Sequence, residues 1–175
     1  RENRGISVNT NRAIAMATGD FIVFADHDDT LTIDAFYEMV KALNRDPKIE
    51  ILYSDEDKVN KTDTNYFGPH LKTVFDMDLL RCNNYICHIF AVKREVLDRV
   101  GLLRREYDGA QDYDFVLRCC EQSQHIYHIP KVLYHWRVHP QSTAGNPASK
   151  MYAFEAGRRA VEDHYRRMGV EATVE

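Results

Sequence analysis

With 175 residues, 44% hydrophobic and 29% charged, the sequence fits one globular domain with a sizeable core. A formal net charge of −4 excludes the strongly basic character of a nucleic-acid or anionic-membrane binder. No apolar run approaches the ~20 residues that a membrane-spanning helix needs. The opening RENRGISVNTNR has neither a secretory signal nor an initiator Met, so an excised piece of a longer chain is expected. The four cysteines, Cys82, Cys87, Cys119 and Cys120, lack the CxxC spacing of a zinc site. They read as free thiols in a reducing cytoplasm.

In chain order, Asn11 to Thr18 is Ala-rich and helix-like, with Gly19 as its stop. Phe21 to Ala25 is a short buried strand. Ile33, Phe36, Tyr37, Val40 and Leu43 recur at helical spacing, and Asp46-Pro47 closes that helix. Ile49 to Ser54 is the next strand, followed by the acidic run Asp55-Glu56-Asp57. Residues 60–69 read as a polar loop, Asp76 to Arg81 as a short helix, and Tyr85 to Lys93 as a strand. Arg94 to Val100 is a helix that Gly101 ends. A further helix starts at Asp112 with Phe115, Val116, Cys119 and Cys120 on its apolar face. The segment IYHIPKVLYHWRVH is extended, with a bend or edge at Pro130. Lys150 to Met168 is an amphipathic helix with Met151, Phe154, Val161, Tyr165 and Met168 on one side. This rhythm predicts an α/β fold with a mostly parallel sheet, whose ligands sit at the carboxyl ends of the strands.

Both early strands end in acid, and the first does so abruptly in FIVFADHDDTLT. Carboxylates at the mouth of a buried strand cost too much desolvation to serve packing alone. Two chemistries begin in this way. In a phosphotransferase of the haloacid-dehalogenase type, Asp26 would attack phosphorus and Asp28 would shuttle the proton. That reading also needs a later acidic pair ending its own apolar strand, and the sequence supplies none. In the other chemistry, Asp26 and Asp28 offer hard oxygens to Mg²⁺ or Mn²⁺ against the diphosphate of a nucleotide-sugar. A second carboxylate must then take the proton of the acceptor hydroxyl. Asp112 and Asp114, at the mouth of their helix, are the candidates for that base.

The ordered stretches NRGISVNTNRAIAMATGDFIVFADHDD, YSDEDK, NYICH, GAQDYDFVLR and IPKVLYHWRVHPQSTA resemble family 2 inverting glycosyltransferases of bacterial surface-polysaccharide biosynthesis. The likeness covers nearly the whole chain. It implies the later part of a GT-A fold, a mixed and mostly parallel sheet flanked by helices, without the strands that bind the nucleotide base. The implied domain is single: residues 1–59 end the nucleotide-binding half, 60–147 form the acceptor half, and 148–175 a terminal helix and tail. The resemblance implies that Asp26 and Asp28 contact metal and ribose-diphosphate, with Asp29 assisting. Asp112 matches the base, although Gln111 stands where that family usually has Glu. Arg137 and His139 match a basic pair closing over the diphosphate, His139 also as a metal ligand, and Ser142 and Thr143 add hydroxyl contacts.

The implied activity is transfer of a hexosyl or deoxyhexosyl unit to a glycan or lipid-linked acceptor, with inversion. A competing reading is a non-catalytic acceptor-binding or assembly module that dimerises through bare sheet edges. For the remaining acids, contact with the acceptor and a solvated turn are equally good readings of Asp55 to Asp57. His70, His88, His125, His128 and His135 are expected to pack or face solvent. Trp136 is a core residue or a platform for a sugar ring. Arg158, Arg159, Arg166 and Arg167 give the last helix a basic side. The bland reading is a solvated face, and the functional one is a peripheral hold on the inner leaflet.

Overall fold

The computed structural model describes residues 4–138 and 151–174. Helix α1 (Ile6–Met16) leads into strand β1 (Phe21–Phe24), the short strand β2 (Thr30–Leu31) and helix α2 (Ala35–Arg45). Strand β3 (Ile51–Val59), strand β4 (Tyr66–His70), helix α3 (Met77–Cys82) and strand β5 (Phe90–Lys93) follow. Helix α4 (Arg94–Val100), helix α5 (Gln111–Glu121), strand β6 (Ile126–Arg137) and helix α6 (Met151–Arg167) complete the order. The strands form one sheet in the order β1-β5-β3-β6-β2, with β4 also paired to β3.

The sheet is mixed, as expected, but parallel pairing does not predominate. Among the described residues only β3 and β6 pair in parallel; β1–β5, β3–β5, β3–β4 and β2–β6 are antiparallel. The helix-strand rhythm does orient β1, β3 and β6 alike. What it cannot show is that β5 inserts between β1 and β3 running the other way.

Alternation along the strands sends side chains to two cores. Ile51, Tyr53, Phe90 and Val92 point to one face, where they meet Val96 and Leu97 of α4, Phe115, Val116 and Cys119 of α5, and Ala160 and Val161 of α6. Leu52, Ala91, Leu133 and Tyr134 point to the other and meet Ala35, Met39 and Ala42 of α2. Burying each large aliphatic side chain in these layers contributes about 1.5–3 kcal/mol.

Several expected boundaries move. Helix α1 starts earlier, at Ile6, and stops at Met16, before Gly19. Strand β3 does not end at Ser54 but runs through the acids to Val59, because β4 and β6 take up its ladder. The loop expected over 60–69 gives way at Tyr66 to β4. The strand expected from Tyr85 starts only at Phe90. The carbonyls of Ile86 and His88 leave the ladder and accept bonds from the Lys72 ammonium instead. In α2 the helix is right and the face is wrong. Small Ala35 and Ala42 let it lie close on the sheet, while Ile33, Phe36, Tyr37 and Val40 are exposed.

Helix α6 keeps part of its expected side, with Val161 buried and Tyr165 packed against the core. It buries Ala156, Ala160, Val161 and His164, whereas Met151, Phe154 and Met168 are exposed. Its basic side is an ion-pair net. Arg158 pairs with Glu155 and Glu162, and Arg166 and Arg167 pair with Asp163. Among the described residues no helix is long and apolar enough to cross a membrane, and the cysteines are free, with Cys119 and Cys120 buried as expected.

Candidate functional site

The acidic turn follows directly from the end of β1. The Asp29 amide donates to the Asp26 carbonyl at 3.4 Å, so these two residues bracket the turn and Asp28 lies at its tip. Strand β6 locks the turn from beneath. The Tyr134 hydroxyl accepts from the Asp26 amide at 3.1 Å and donates to the Asp29 carboxylate. The Arg137 amide donates to Asp29 Oδ1 at 2.8 Å, and its Nε donates to the Asp28 carbonyl at 2.6 Å. The Arg137 guanidinium also pairs with Asp63 at 2.6 Å. Arg137 therefore stands beside the turn.

His88 closes the site. Its ring stacks on Tyr134 with centroids 4.8 Å apart and planes 9° from parallel. Its Nε2 is 3.6 Å from Asp26 Oδ2, and its Nδ1 is 3.3 Å from Glu56 Oε2. Ligand atoms of Asp26, Asp29 and His88 lie within 4.8 Å of one another. Two carboxylates and an imidazole are a donor set that Mn²⁺ accepts, whereas Mg²⁺ favours the oxygens alone. This trio differs from the expected set at two positions. Asp28 is not a member, because the turn brings residues i and i+3 together and carries i+2 to the tip. His88, expected to pack or face solvent, is one. His139 and Ser142, and Thr143 with them, lie outside the described residues.

The charges are strongly coupled. The neighbouring His88 ring holds the Asp26 carboxyl below its usual range. Partial burial pushes Asp29 up, against its bonds to Tyr134 and Arg137. Burial alone would raise Glu56, but His88 and the Lys72 ammonium bring it down to about 2. Burial likewise opposes charge on His88, yet the two flanking carboxylates lift it to about 9. A bound divalent cation would invert that local balance and displace the imidazole proton.

Asp112 opens α5. Asn84 Nδ2 donates to its Oδ2 at 3.2 Å. The carboxylate is open to solvent yet has protein on most sides, and this crowding pushes its pKa up, against backbone amides that favour the charged form. The charges of His88 and Asp26 both act on it, so the two acidic sites are within electrostatic reach of each other. The turn before Asp112 depends on Gly109. Its φ is +106°, and a Cβ there would lie 2.5 Å from the Tyr152 ring.

Asp114 does not join Asp112. Residues two apart on a helix point about 200° away from each other. Asp114 is buried and accepts from Arg104, and from Arg118 Nε at 3.1 Å and Nη2 at 2.9 Å. Its expected catalytic role is corrected to a structural one. Asp114→Ala should destabilise the protein by about 3–5 kcal/mol, because it leaves buried Arg118 without its counter-charge. Denaturant unfolding measures this, and an unchanged midpoint would count against it.

The acids of β3 are internal. Asp55 Oδ1 lies 2.7 Å from His128 Nε2, and Asp57 Oδ1 lies 2.5 Å from His135 Nδ1. These contacts place His128 and His135 in the packing, as expected, and remove the solvated-turn reading of the run. Trp136 is tilted against His88 with centroids 5.7 Å apart. Sequence reasoning missed His88, Glu56, Lys72, Tyr134 and Asn84 as parts of this site. The signals available were an acid inside an apolar strand and a His entering one.

Residues 1–101 match the family described as glycosyl transferase family 2. An uncharacterised protein of Sinorhizobium fredii, y4gI, is 43% identical over 170 residues, which are 95% of this chain and 19% of that protein. The O-antigen biosynthesis protein RfbC of Myxococcus xanthus is 38% identical over 165 residues, covering 94% of this chain and 13% of that protein. The chain thus spans less than a fifth of the length of either relative. Among solved structures, S. aureus TarS 1–349 in complex with UDP superposes with a TM-score of 0.65 at 15% identity, over 91% of this chain and 45% of that one. The mannosyltransferase PcManGT from Pyrobaculum calidifontis, in complex with GDP-Man and Mn²⁺, gives 0.57 at 18% identity, over 99% of this chain and 46% of that one.

Proposed function

This chain belongs to glycosyl transferase family 2, and we propose that it supplies the catalytic acids of an inverting, cation-assisted transfer from a nucleotide-sugar. The donor unit is hexosyl or deoxyhexosyl, and the acceptor is a glycan or a lipid-linked sugar. The similarity to an O-antigen biosynthesis protein supports that acceptor class. The observation that carries the reading is geometric: ligand atoms of Asp26, Asp29 and His88 lie within 4.8 Å of one another after β1, and Asp112 offers a separate carboxylate at the start of α5 beside Asn84.

In the proposed reaction, Asp112 accepts the proton of the acceptor hydroxyl as that oxygen attacks the anomeric carbon. A new C–O bond forms on one face, and the bond to the nucleoside diphosphate breaks on the other with its electron pair. A single displacement of this kind inverts the centre. Asp26 and Asp29, with His88 or Asp28, would hold the cation. When bound, a divalent cation supplies positive charge to the departing diphosphate. Arg137 adds a guanidinium at the same end of the site.

Calorimetry of the full-length protein with UDP, GDP or dTDP tests the reading. Binding of one nucleotide that strengthens with Mn²⁺ is expected. Failure of all three, with and without Mn²⁺, would count against it and favour the acceptor-binding module. The pH profile is a second check. Only the carboxylate form of Asp112 accepts a proton, so the rate should rise with pH through a limb above the ordinary carboxylate range. The Asn84 bond favours the carboxylate, so Asn84→Ala should move that limb to higher pH. A limb at one pH in both proteins would remove Asp112 as its source.

A further inference from the structure

A buried charged cluster surrounds Glu56, which takes no part in the transfer steps above. The Lys72 side chain has no solvent exposure and that of Glu56 has 9%. Lys72 Nζ donates to Glu56 Oε2 at 3.0 Å, to the Ile86 carbonyl at 2.7 Å, and to the His88 carbonyl. Those bonds use all three ammonium protons. The Lys72 amide donates to Asp55 Oδ1 at 2.8 Å, which ties the cluster to β3. Glu56 Oε2 also accepts the His88 amide at 3.2 Å and faces His88 Nδ1 at 3.3 Å. His88 is thus hydrogen-bonded at its amide and, through Lys72, at its carbonyl, while its Nδ1 lies beside Glu56 as a buried ring nitrogen with no hydrogen bond of its own.

A buried ion pair adds little stability over apolar packing of the same volume, so stability alone does not account for this arrangement. Its geometric result is a fixed aim. With Nδ1 turned to Glu56 and the ring face against Tyr134, Nε2 is directed at Asp26. An imidazole that binds a metal commonly gives its other N–H to a carboxylate, which sets the tautomer and ring orientation.

The geometry points to His88 as the nitrogen ligand of the cation, and to Glu56 as the positioning residue that aims it. This inference rests on the glycosyltransferase reading, but its test does not depend on turnover. Mn²⁺ added alone to the full-length protein should give a spin-echo modulation from a directly bound imidazole nitrogen. His88→Gln should erase that modulation. Glu56→Gln should weaken Mn²⁺ binding about 10–100-fold with the circular dichroism unchanged. The paired change Glu56→Gln with Lys72→Met removes both buried charges together and should show the same loss, which guards against a folding defect in the single variant. Modulation that survives His88→Gln and vanishes in His139→Ala overturns the inference, as does wild-type Mn²⁺ affinity in both Glu56 variants. Sugar transfer that persists with no imidazole nitrogen on Mn²⁺ overturns it too, and leaves the glycosyltransferase reading standing.

Discussion

Asp112→Asn should reduce sugar transfer by about 10²–10⁴-fold, the usual contribution of a general base, while leaving donor binding nearly intact. Asn keeps the shape of the side chain but does not accept the proton. The bond from Asn84 to position 112 can still form, so the entrance of α5 keeps its geometry. Stability moves in the opposite sense to activity. A carboxyl whose folded pKa is raised favours folding below that pKa and disfavours it above. Crowding raises Asp112, so at neutral pH its charge works against the fold. The melting temperature of Asp112→Asn should therefore equal or exceed that of the wild type. Loss of transfer with an unlowered melting temperature and retained nucleotide binding is the expected triple result. Turnover unchanged in this variant would falsify the assignment of Asp112 as base.

The sequence made the strand ends legible because carboxylates after an apolar run are expensive and therefore informative. That ground and the resemblance point to Asp26, Asp29, Asp112 and Arg137, and the structure sets the first two and Arg137 around one turn. Spacing alone favoured Asp28 over Asp29, since a tight turn rearranges neighbours in a way that no linear pattern records. Asp114 was grouped with Asp112 for the same reason, and helical rotation separates them.

The hidden part of the site is the segment around His88. Its residues read as strand because Tyr85, Ile86 and Ile89 are apolar and are in fact buried. The segment lies outside the ladder, and two of its carbonyls accept bonds from Lys72, a residue that no local pattern connects to it. The apolar stripes of α2 and α6 are buried only in part, with Leu43, Val161 and Tyr165 turned inward. Period identifies a helix, but small residues on the opposite face chose which side would approach the sheet or α5.

Asp26→Ala should show a signature opposite to that of Asp112→Asn. Charge support for a departing diphosphate is worth several kcal/mol, so removing Asp26 should lower transfer on the order of 10²–10³-fold. Unlike the base variant, it should also abolish the strengthening of nucleotide binding by Mn²⁺. The stability term reverses as well. The neighbouring His88 ring depresses the Asp26 pKa, and a depressed carboxyl adds stability above its unfolded pKa that is lost as pH falls through the folded value. Asp26→Ala should then melt slightly below the wild type at neutral pH, with the gap closing in acid. In wild type the turn holds Asp26 and Asp29 against Tyr134, and Ala keeps the backbone half of that contact, so the fold survives. Calorimetry with and without Mn²⁺, read beside melting curves at neutral and acid pH, separates the two carboxylates. Mn²⁺-dependent nucleotide binding that persists in Asp26→Ala would move the cation elsewhere and leave Asp26 as a turn residue.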